Sequence, residues 1–191
     1  MRIEERRGRH FLDIGGKVAN LVMSIEPKEV RGSLFIFSAP RSFCSPTNWA
    51  LSEIFKCDIQ LDWRIQELLP NSYSSEFNWV GPSGLCARIV SNLSKWGKLR
   101  LEAVQEPINI SLGERFSVTP ELGIFRAEIN SLGETLLSES KIKSGIERSK
   151  QESESIENEL SFMLGKPWDD DLEPFRRSFS GTTIRWISKT G

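Results

Sequence analysis

The sequence predicts an α+β domain with a ferredoxin-like (split βαβ) core, in which an antiparallel sheet carries two helices on one face and is extended by a β-hairpin and C-terminal helices. Three observations support this class. Apolar residues recur at helical spacing in two segments and at alternate positions around them, in the order strand, helix, strand, strand, helix, strand. Two further alternating segments and two helical segments follow. The chain has 191 residues, which suits one domain with a sizeable core.

The first strand and the first helix come from residues 33–56. Residues 33–37 form a continuous apolar run, which is typical of a strand buried on both faces. Ser45 followed by Pro46 predicts a helix N-terminus, because serine is a favoured N-cap and proline is tolerated at the first helical position. Apolar residues at helical spacing then predict a helix over residues 46–56.

Three more strands and a second helix complete the core. Alternation predicts strands over residues 59–65, 73–79 and 99–103. An apolar stripe before the last of these predicts the second helix, which Gly97 would end. The polar positions of the strands predict a solvent-facing side of the sheet with mixed charge. Its residues are Gln60, Asp62, Arg64, Glu76, Asn78, Arg100 and Glu102.

The C-terminal half adds a hairpin, two helices and a last strand. Residues 115–119 predict one strand, and residues 124–137 predict a hairpin. Ser138 is the predicted cap of the first helix, and Gly165 followed shortly by a proline ends the second. Residues 182–188 predict a last short strand.

The chain divides into an extension and a domain. Residues 1–30 show no sustained alternation and predict an N-terminal extension, which is either flexible or the product of a misassigned start with Met23 as the true first residue. Residues 31–191 predict a single α+β domain.

The balance of charges argues against a general nucleic-acid binder. The chain has 25 basic and 26 acidic residues and a net charge of −1, whereas such binders carry a strong basic excess. The total hides an asymmetry: residues 121–174 carry 6 basic and 13 acidic side chains, and residues 175–191 carry 4 basic and none acidic. The basic last strand could pair with the acidic segment internally or face a partner.

His10 is the single histidine, and it lies in the predicted extension. The predicted domain therefore lacks the imidazole that Ser-His-Asp and Cys-His catalysis require. Neither a cofactor nor a metal site is predicted. No apolar run approaches the roughly 20 residues that span a bilayer, and no secretory leader is predicted. We therefore expect a cytoplasmic protein without membrane contact.

Three cysteines, Cys44, Cys57 and Cys86, are odd in number and lack CxxC spacing. This pattern predicts neither a disulfide framework nor a zinc site. The main expectation is buried free thiols in a reducing compartment. The alternative is a reactive Cys44, whose pKa a nearby helix start would lower.

The densest polar cluster spans residues 166–177. Its carboxylates could hold Mg²⁺ or Ca²⁺, but consecutive aspartates cannot all converge on one ion, so we predict a rigid capping segment. Trp168 and Phe175 would anchor that segment to the body, while its acids cap a turn or pair with the arginines at its end. The candidate binding residues in this cluster are Asp169, Asp170, Asp171, Glu173 and Arg176.

Arg115 and Arg126 lie on neighbouring predicted strands, close to Glu114 and Glu128. Cross-strand ion pairs are the main interpretation of this arrangement. A guanidinium group also offers a bidentate fork for carboxylate or phosphate, so either arginine could anchor an anion.

Several motifs, in order along the chain, resemble one family. They are SAP at 38–40, LDW at 61–63, WVGP at 79–82, GERFSVTP at 113–120, LGIF at 122–125 and LGKPWDDDLEPFR at 164–176. This set resembles the actinobacterial domain-of-unknown-function 3145 family over about residues 31–189. Members begin at the equivalent of Val30-Arg31-Gly32, so the resemblance leaves out the extension. It implies a contextual link with fatty-acid metabolism and no assigned catalytic residue.

We predict a non-enzymatic, cytosolic binding or regulatory module with a protein partner, because the predicted domain shows no histidine, nucleotide loop or metal-ligand spacing. The alternative is an enzyme or a small-anion-binding protein in which Arg115, Arg126 and the carboxylates of residues 169–173 converge on one pocket. Nucleic-acid binding is the least favoured class, since the predicted sheet face has mixed charge and lacks exposed aromatic residues.

Overall fold

Within the part of the chain that the structure describes, seven antiparallel strands form one sheet and five α-helices accompany it. The computed structural model describes residues 29–108, 111–152 and 155–179. The elements are β1 (Glu29–Pro40), α1 (Arg41–Phe55), β2 (Arg64–Ile65), β3 (Ser72–Pro82), α2 (Leu85–Leu93), β4 (Arg100–Gln105), β5 (Gly113–Thr119), β6 (Gly123–Ile129), β7 (Thr135–Leu136), α3 (Glu139–Glu152), α4 (Ile156–Met163) and α5 (Lys166–Ser178). The spatial order of the strands is β2-β3-β1-β4-β5-β6-β7. The predicted α+β class is therefore confirmed.

β1 lies inside the sheet, between β3 and β4, and is buried on both faces as its apolar run predicts. Leu34 and Ile36 point to the face that carries α1 and α2, whereas Phe35 and Phe37 point to the face that carries α5. Side chains alternate between the two faces of a strand, so a strand with both faces covered needs apolar residues at successive positions.

The larger core lies between the sheet and the first two helices. Ile89, Val90 and Leu93 of α2 and Leu51 of α1 are buried against the strands. The predicted second helix is thus confirmed, and Gly97 ends the short 3₁₀ turn that follows it, in the left-handed region at φ 58°.

α5 covers the opposite face of the sheet, where the sequence predicts contact with solvent. Leu172 and Phe175 pack against Phe35 and Phe37, and Glu102 of β4 is fully buried beneath the helix. The prediction of a solvent-facing side is wrong at β4. The segment predicted as a cap folds into an amphipathic helix, which stabilises itself by burying its apolar stripe against that face.

The predicted strand over residues 59–65 is wrong for all but Arg64–Ile65. The Ile59 amide donates to Ser52 Oγ of α1 at 2.9 Å. In a sheet, this amide would donate to a neighbouring strand instead. Ile59 is nevertheless buried in the larger core. Alternation therefore located the burial of this residue but not its backbone conformation.

α1 begins at Arg41, so the predicted helix N-terminus at Ser45 and Pro46 is wrong. β1 ends at Pro40, and the Arg41 amide donates to the Asn71 carbonyl at 3.2 Å, which satisfies one of the free donors at the start of the helix. Pro46 lies inside α1, where it removes a single backbone hydrogen bond.

The hairpin and the two helices after it agree with the sequence prediction. Ser138 Oγ accepts from the Lys141 amide at 3.3 Å and caps α3, and Gly165 separates α4 from α5 with φ 88°. α3 and α4 pack closely, because a Cβ atom at Gly145 would lie 2.5 Å from Met163 Sδ. A larger residue at this position would force the Met163 side chain to move.

Two predicted segments fall at or beyond the limits of the description. The structure places Glu29 and Val30 in β1, and the remaining residues 1–28 of the predicted extension lie outside the described residues. The predicted last strand over 182–188 lies outside them as well. Among the described helices, none combines the length and the apolar character that crossing a membrane requires.

We expect Leu172→Ala to destabilise the fold by about 2–5 kcal/mol, because Leu172 is fully buried and the space left under α5 can collapse only in part. Urea unfolding followed by circular dichroism measures this change. Leu132→Ala is the control: Leu132 is 71% exposed, and its loss should change the free energy of unfolding by no more than about 0.5 kcal/mol. Equal effects of the two substitutions would contradict the packing of α5 on the sheet.

Candidate functional site

A buried group of charged side chains lies between the sheet and α5. At its centre, the carboxylate of Glu102 accepts hydrogen bonds from Arg176 of α5 and from Ser117 of β5. Arg176 Nε lies 3.1 Å from Glu102 Oε2, and the Ser117 hydroxyl lies 3.1 Å from Oε1, which also accepts from Arg176 Nη2. A carboxylate can be buried in this way because charged and polar partners replace its water.

Asp169 and Arg115 extend this group along the helix. Arg176 Nη2 donates to Asp169 Oδ1 at 2.8 Å, and Arg115 Nη1 lies 3.5 Å from the same oxygen. Arg115 Nε is buried and forms no hydrogen bond with a described residue. Asp169 is thus shared between a guanidinium group of the sheet and one of the helix.

Arg100 of β4 forms a further link between the sheet and α5. Its Nε atom lies 3.4 Å from Asp171 Oδ1, and its Nη2 atom lies 2.9 Å from Glu121 Oε2. The guanidinium carbon also lies 5.1 Å from the centre of the Phe175 ring. The side chain therefore combines ion pairs with a cation–π contact to the same helix.

We name these residues the α5 clamp: Arg100, Glu102, Arg115, Asp169, Asp171 and Arg176. Three cations and three carboxylates make up the clamp, so their charges cancel. Burial alone would lower the pKa of Arg176, but Glu102 and Asp169 outweigh burial and hold this pKa above its ordinary value. Arg176 therefore remains a cation beneath the helix.

The α5 clamp is arranged to hold a helix rather than a ligand. No clamp residue lines the α3–α4 cavity, the groove beside β2 or the two other cavities that we compared in the described part of the chain. The acids and bases of the clamp are also one another's partners, whereas a general acid or base must reach a bound substrate. The contacts of the clamp thus join α5 to β4 and β5.

The structure brings together part of the predicted site. Its members in the α5 clamp are Arg115, Asp169, Asp171 and Arg176. Asp170 pairs with Lys166 at 2.8 Å on the outer side of α5. Glu173 pairs with Arg177 at 2.9 Å and also lies 3.7 Å from Nη1 of Arg176, at the margin of the clamp. The described residues contain no group of three or more His, Cys, Asp or Glu side chains that could hold a metal ion.

Arg126 lies on the other face of the sheet from Arg115. It stands opposite Phe116, which packs in the larger core, whereas Arg115 is next to Phe116 in the strand and points the other way. The guanidinium group of Arg126 donates to Glu114, and this hydrogen bond raises the pKa of Arg126. The two arginines therefore do not share one anion site.

Sequence reasoning missed Glu102, the central member of the α5 clamp, because alternation assigned it to a solvent-facing side. A signal was present in the spacing of Trp168, Leu172 and Phe175, which follow one another at 4 and 3 residues and mark an apolar helical stripe. Such a helix needs an apolar surface to cover. The second face of the sheet supplies that surface.

A second candidate site is a cavity of about 330 Å³ between β6, α3 and α4, which we name the α3 cavity. It is lined by Phe125, Arg126, Ser140, Lys141, Ser144, Arg148, Phe162 and Met163. Ser140, Ser144 and Arg148 follow one another at intervals of four residues, so they lie on one face of α3. None of the residues that line it carries a carboxylate.

The cations of the α3 cavity differ in their partners. Arg148 lies 3.2 Å from Glu159 Oε1, and the guanidinium group of Arg126 turns away to Glu114. Lys141 forms no ion pair with any residue in the described ranges. The cavity therefore offers one unpaired ammonium group and two hydroxyls beside an apolar wall, whereas its two guanidinium groups already pair with Glu114 and Glu159.

The three thiols lie in different environments. Cys86 is fully buried, and burial, with a further contribution from Glu114, raises its pKa far above the ordinary value. Burial also raises the pKa of Cys44, which lies inside α1 rather than ahead of it, so the reactive Cys44 alternative loses its basis. Cys57 is exposed, which corrects the expectation of a buried thiol there.

We expect Arg176→Met to cost about 3–5 kcal/mol in the free energy of unfolding, because it leaves the buried Glu102 carboxylate without its charged partner. The double variant Glu102→Leu/Arg176→Met should recover most of the loss, since an apolar pair needs no neutralisation. Arg177→Met is the control, because Arg177 is an exposed neighbour whose surface ion pair is worth no more than about 1 kcal/mol. Urea unfolding measures all three, and a double variant no more stable than Arg176→Met would refute the account.

We expect Cys57 to react first with the thiol reagent DTNB at pH 8, because it is the exposed thiol, and Cys86 to react only as the protein unfolds. The absorbance of the thiolate that the reagent releases gives the rate at which each cysteine reacts. Cys57→Ser should abolish the fast phase, and Cys44→Ser should leave it unchanged. Loss of the fast phase in Cys44→Ser would restore Cys44 as the reactive thiol.

The comparisons with known proteins bear on the family alone. Neither the curated proteins nor the solved structures include a match to this chain. The sequence model of one family, described as protein of unknown function (DUF3145), matches residues 33–189. This match covers more than half of the chain, including every motif on which the resemblance rests, and the protein therefore belongs to the DUF3145 family.

Proposed function

We propose that the protein is a non-enzymatic binding module that holds a small organic anion in the α3 cavity. The observation that carries this proposal is the lining of the cavity. Lys141 supplies an unpaired positive charge, Ser140 and Ser144 supply hydroxyl groups, and no carboxylate lines the same space among the described residues. Charge-assisted hydrogen bonds from such groups favour a carboxylate or a phosphate.

The wall of the α3 cavity selects an anion that carries an apolar body. Phe125, Phe162 and Met163 line one side of it. A volume of about 330 Å³ is at the lower end of the range in which small molecules bind, roughly 300–1,000 Å³. A carboxylate or phosphate on a short hydrocarbon chain has this shape and chemistry. A link with fatty-acid metabolism would fit such a ligand.

An enzymatic role for the predicted arginines and carboxylates receives less support. Arg115, Asp169 and Arg176 bond to one another beneath α5, and Arg126 bonds to Glu114 on the other face of the sheet. Because these groups already have partners, a substrate would have to break strong interactions before it could bind. The proposal therefore assigns them to stability.

A protein partner that displays the anion is the second candidate. Ile142 and Ile146, one turn apart on α3, are both more than a third exposed on the helix that forms the cavity. Exposed apolar residues next to a charged site are typical of a protein-binding surface. The partner would present a carboxylate or phosphate group to Lys141 while an apolar side chain covers these isoleucines.

The proposal extends to the fold and to the cell compartment. We take β1, α1, β2, β3, α2 and β4 as a ferredoxin-like split βαβ unit, which the spatial order β2-β3-β1-β4 supports. Free cysteines, among them the exposed Cys57, fit a reducing compartment and favour the cytoplasm.

We expect octyl phosphate to bind more tightly than inorganic phosphate, because only the former can also contact the apolar wall. Isothermal titration calorimetry measures both affinities. Lys141→Glu should weaken octyl phosphate binding at least about tenfold, a change of about 1.4 kcal/mol, since it reverses the unpaired charge of the cavity.

Lys143→Glu is the matched control, because Lys143 lies on the same helix, is exposed and does not line the cavity. It should leave the affinity unchanged. Equal weakening by the two substitutions would reduce the effect to general electrostatics, and the absence of binding by octyl phosphate and octanoate alike would overturn the proposed ligand class.

A further inference from the structure

β6 is an open edge of the sheet over most of its length. β5 pairs with the whole of β6 on one side, whereas β7 pairs on the other side with Glu128 and Ile129 alone. The chain leaves this edge after Leu136, at the end of β7, and begins α3 at Glu139. In the described ranges, no strand therefore lies beside residues 123–127 on that side.

The backbone groups of two residues face the open edge. The Asn130 amide donates to the Glu134 carbonyl at 3.1 Å, so Asn130 turns its backbone toward β7. The direction of the backbone hydrogen bonds alternates along a strand. Ile124 and Arg126 therefore also direct their N–H and C=O groups away from β5, and no strand of the described chain pairs with them there.

The open edge of β6 borders the α3 cavity. Phe125 and Arg126 both line this cavity although successive side chains of a strand point to opposite faces, so the cavity reaches the edge itself. The ring centres of Phe125 and Trp168 lie 5.1 Å apart, and those of Phe162 and Trp168 lie 5.3 Å apart. α4 and the cavity therefore lie on the side of the sheet to which Phe125 points.

The charges around the open edge define the kind of strand that fits it. Lys141 lines the α3 cavity and forms no ion pair in the described residues, and the lining contains no carboxylate. Glu114 and Glu128 stand opposite each other on the face of Arg126, and Glu114 pairs with that arginine. A strand beside β6 is therefore complementary when it carries an acid on the face of Phe125 and no acid on the other face.

We propose that the open edge of β6 takes up an extended acidic peptide of a partner protein, as an antiparallel strand in line with β7. The acidic residue stands opposite Phe125 and extends into the α3 cavity toward Lys141. The residues on either side of it exchange backbone hydrogen bonds with Ile124 and Arg126. Backbone pairing of this kind supplies affinity, and the side chains at alternate positions supply specificity.

The inference rests on the proposed function, because the acid of the peptide takes the position of the anion in the α3 cavity. A glutamate side chain is a carboxylate on a short hydrocarbon chain, which is the ligand class that the wall of the cavity favours. Ile124 is apolar and 48% exposed, so an apolar residue next to the acid covers it on the other face.

Three short peptides with blocked ends and a fluorescent label test the strand on the full-length protein. The first is Thr-Thr-Val-Glu-Val-Thr-Thr, the second has Gln in place of Glu, and the third carries N-methyl groups on both valines. Fluorescence anisotropy measures their affinities. We expect binding at least about tenfold weaker for the second peptide, which lacks the charge, and for the third, which cannot donate to β6.

Two variants of the protein test the position of the acid. Lys141→Glu should weaken binding of the first peptide at least about tenfold and change binding of the second peptide little, since only the first carries a charge. Lys143→Glu is the matched control, because Lys143 is exposed on the same helix and does not line the cavity. Equal weakening by the two variants would refute a contact between the acid and Lys141.

Amide hydrogen exchange followed by NMR locates the bound peptide. The amides of Ile124 and Arg126 should exchange at least about tenfold more slowly with the first peptide, whereas those of Phe125 and Ala127, which face β5, should be slow with and without it. Slow exchange of Ile124 and Arg126 in the protein alone would overturn the proposal. It would assign the edge to a second copy if it rose with protein concentration, and to another segment of the same chain if it did not.

Octyl phosphate separates a failure of this inference from a failure of the proposed function. Displacement of the first peptide by octyl phosphate supports both. Binding of octyl phosphate without binding of any peptide would overturn the strand and keep the small ligand, and the reverse result would overturn the small ligand and keep the strand. Equal affinities of the Glu and Gln peptides would refute the role of the acid, and an equal affinity of the N-methylated peptide would refute backbone pairing.

Discussion

A fully buried carboxylate inside the sheet imposes the condition on which the rest of the structure depends. Glu102 would pay a penalty of roughly several kcal/mol for leaving water if it had no partner. Ser117 and Arg176 supply the partners, and Arg176 belongs to α5. The charge and the helix can therefore be buried only together. The same contact places the apolar stripe of α5 over Phe35 and Phe37, which would otherwise be exposed to water.

α5 in turn positions the helices that precede it. The indole of Trp168 donates to the Gly123 carbonyl at 3.1 Å, and its ring packs against Phe125 of β6 and Phe162 of α4. α3 packs on α4 at Gly145, so the position of α3 follows from that of α5. The α3 cavity, the proposed binding site, is thus a consequence of the packing that buries Glu102.

The charged residues of the protein divide into those that neutralise one another and those that remain available. The densest polar cluster of the sequence became a helix whose inner acids and arginine belong to the α5 clamp and whose outer acids pair with Lys166 and Arg177. Groups with such partners cannot bind a ligand without losing them. Lys141 lies in a stretch without a recognisable motif, and its ammonium group has no ion-pair partner in the described residues. It therefore suits a ligand site better than the paired groups of the α5 clamp do.

Periodicity in the sequence determined the burial of β1 on both faces, the second helix, the hairpin and the two helices after it, because alternation and helical spacing are properties of neighbouring residues. A shared pocket for Arg115, Arg126 and the acidic cluster was one of two sequence-based alternatives. In the structure Arg115 does approach the cluster, but alternation along β5 and β6 puts Arg126 on the opposite face of the sheet. Residues 59–63 do not form the predicted strand, and the Ile59 amide donates to Ser52 instead of to a neighbouring strand. Ser52 lies 7 residues from Ile59 in the chain and meets it only once α1 has formed. The burial of Glu102 needed Arg176, which is 74 residues away. Whether a strand face meets water or a helix is decided by what packs on it, and contacts between distant segments leave no local period in the sequence.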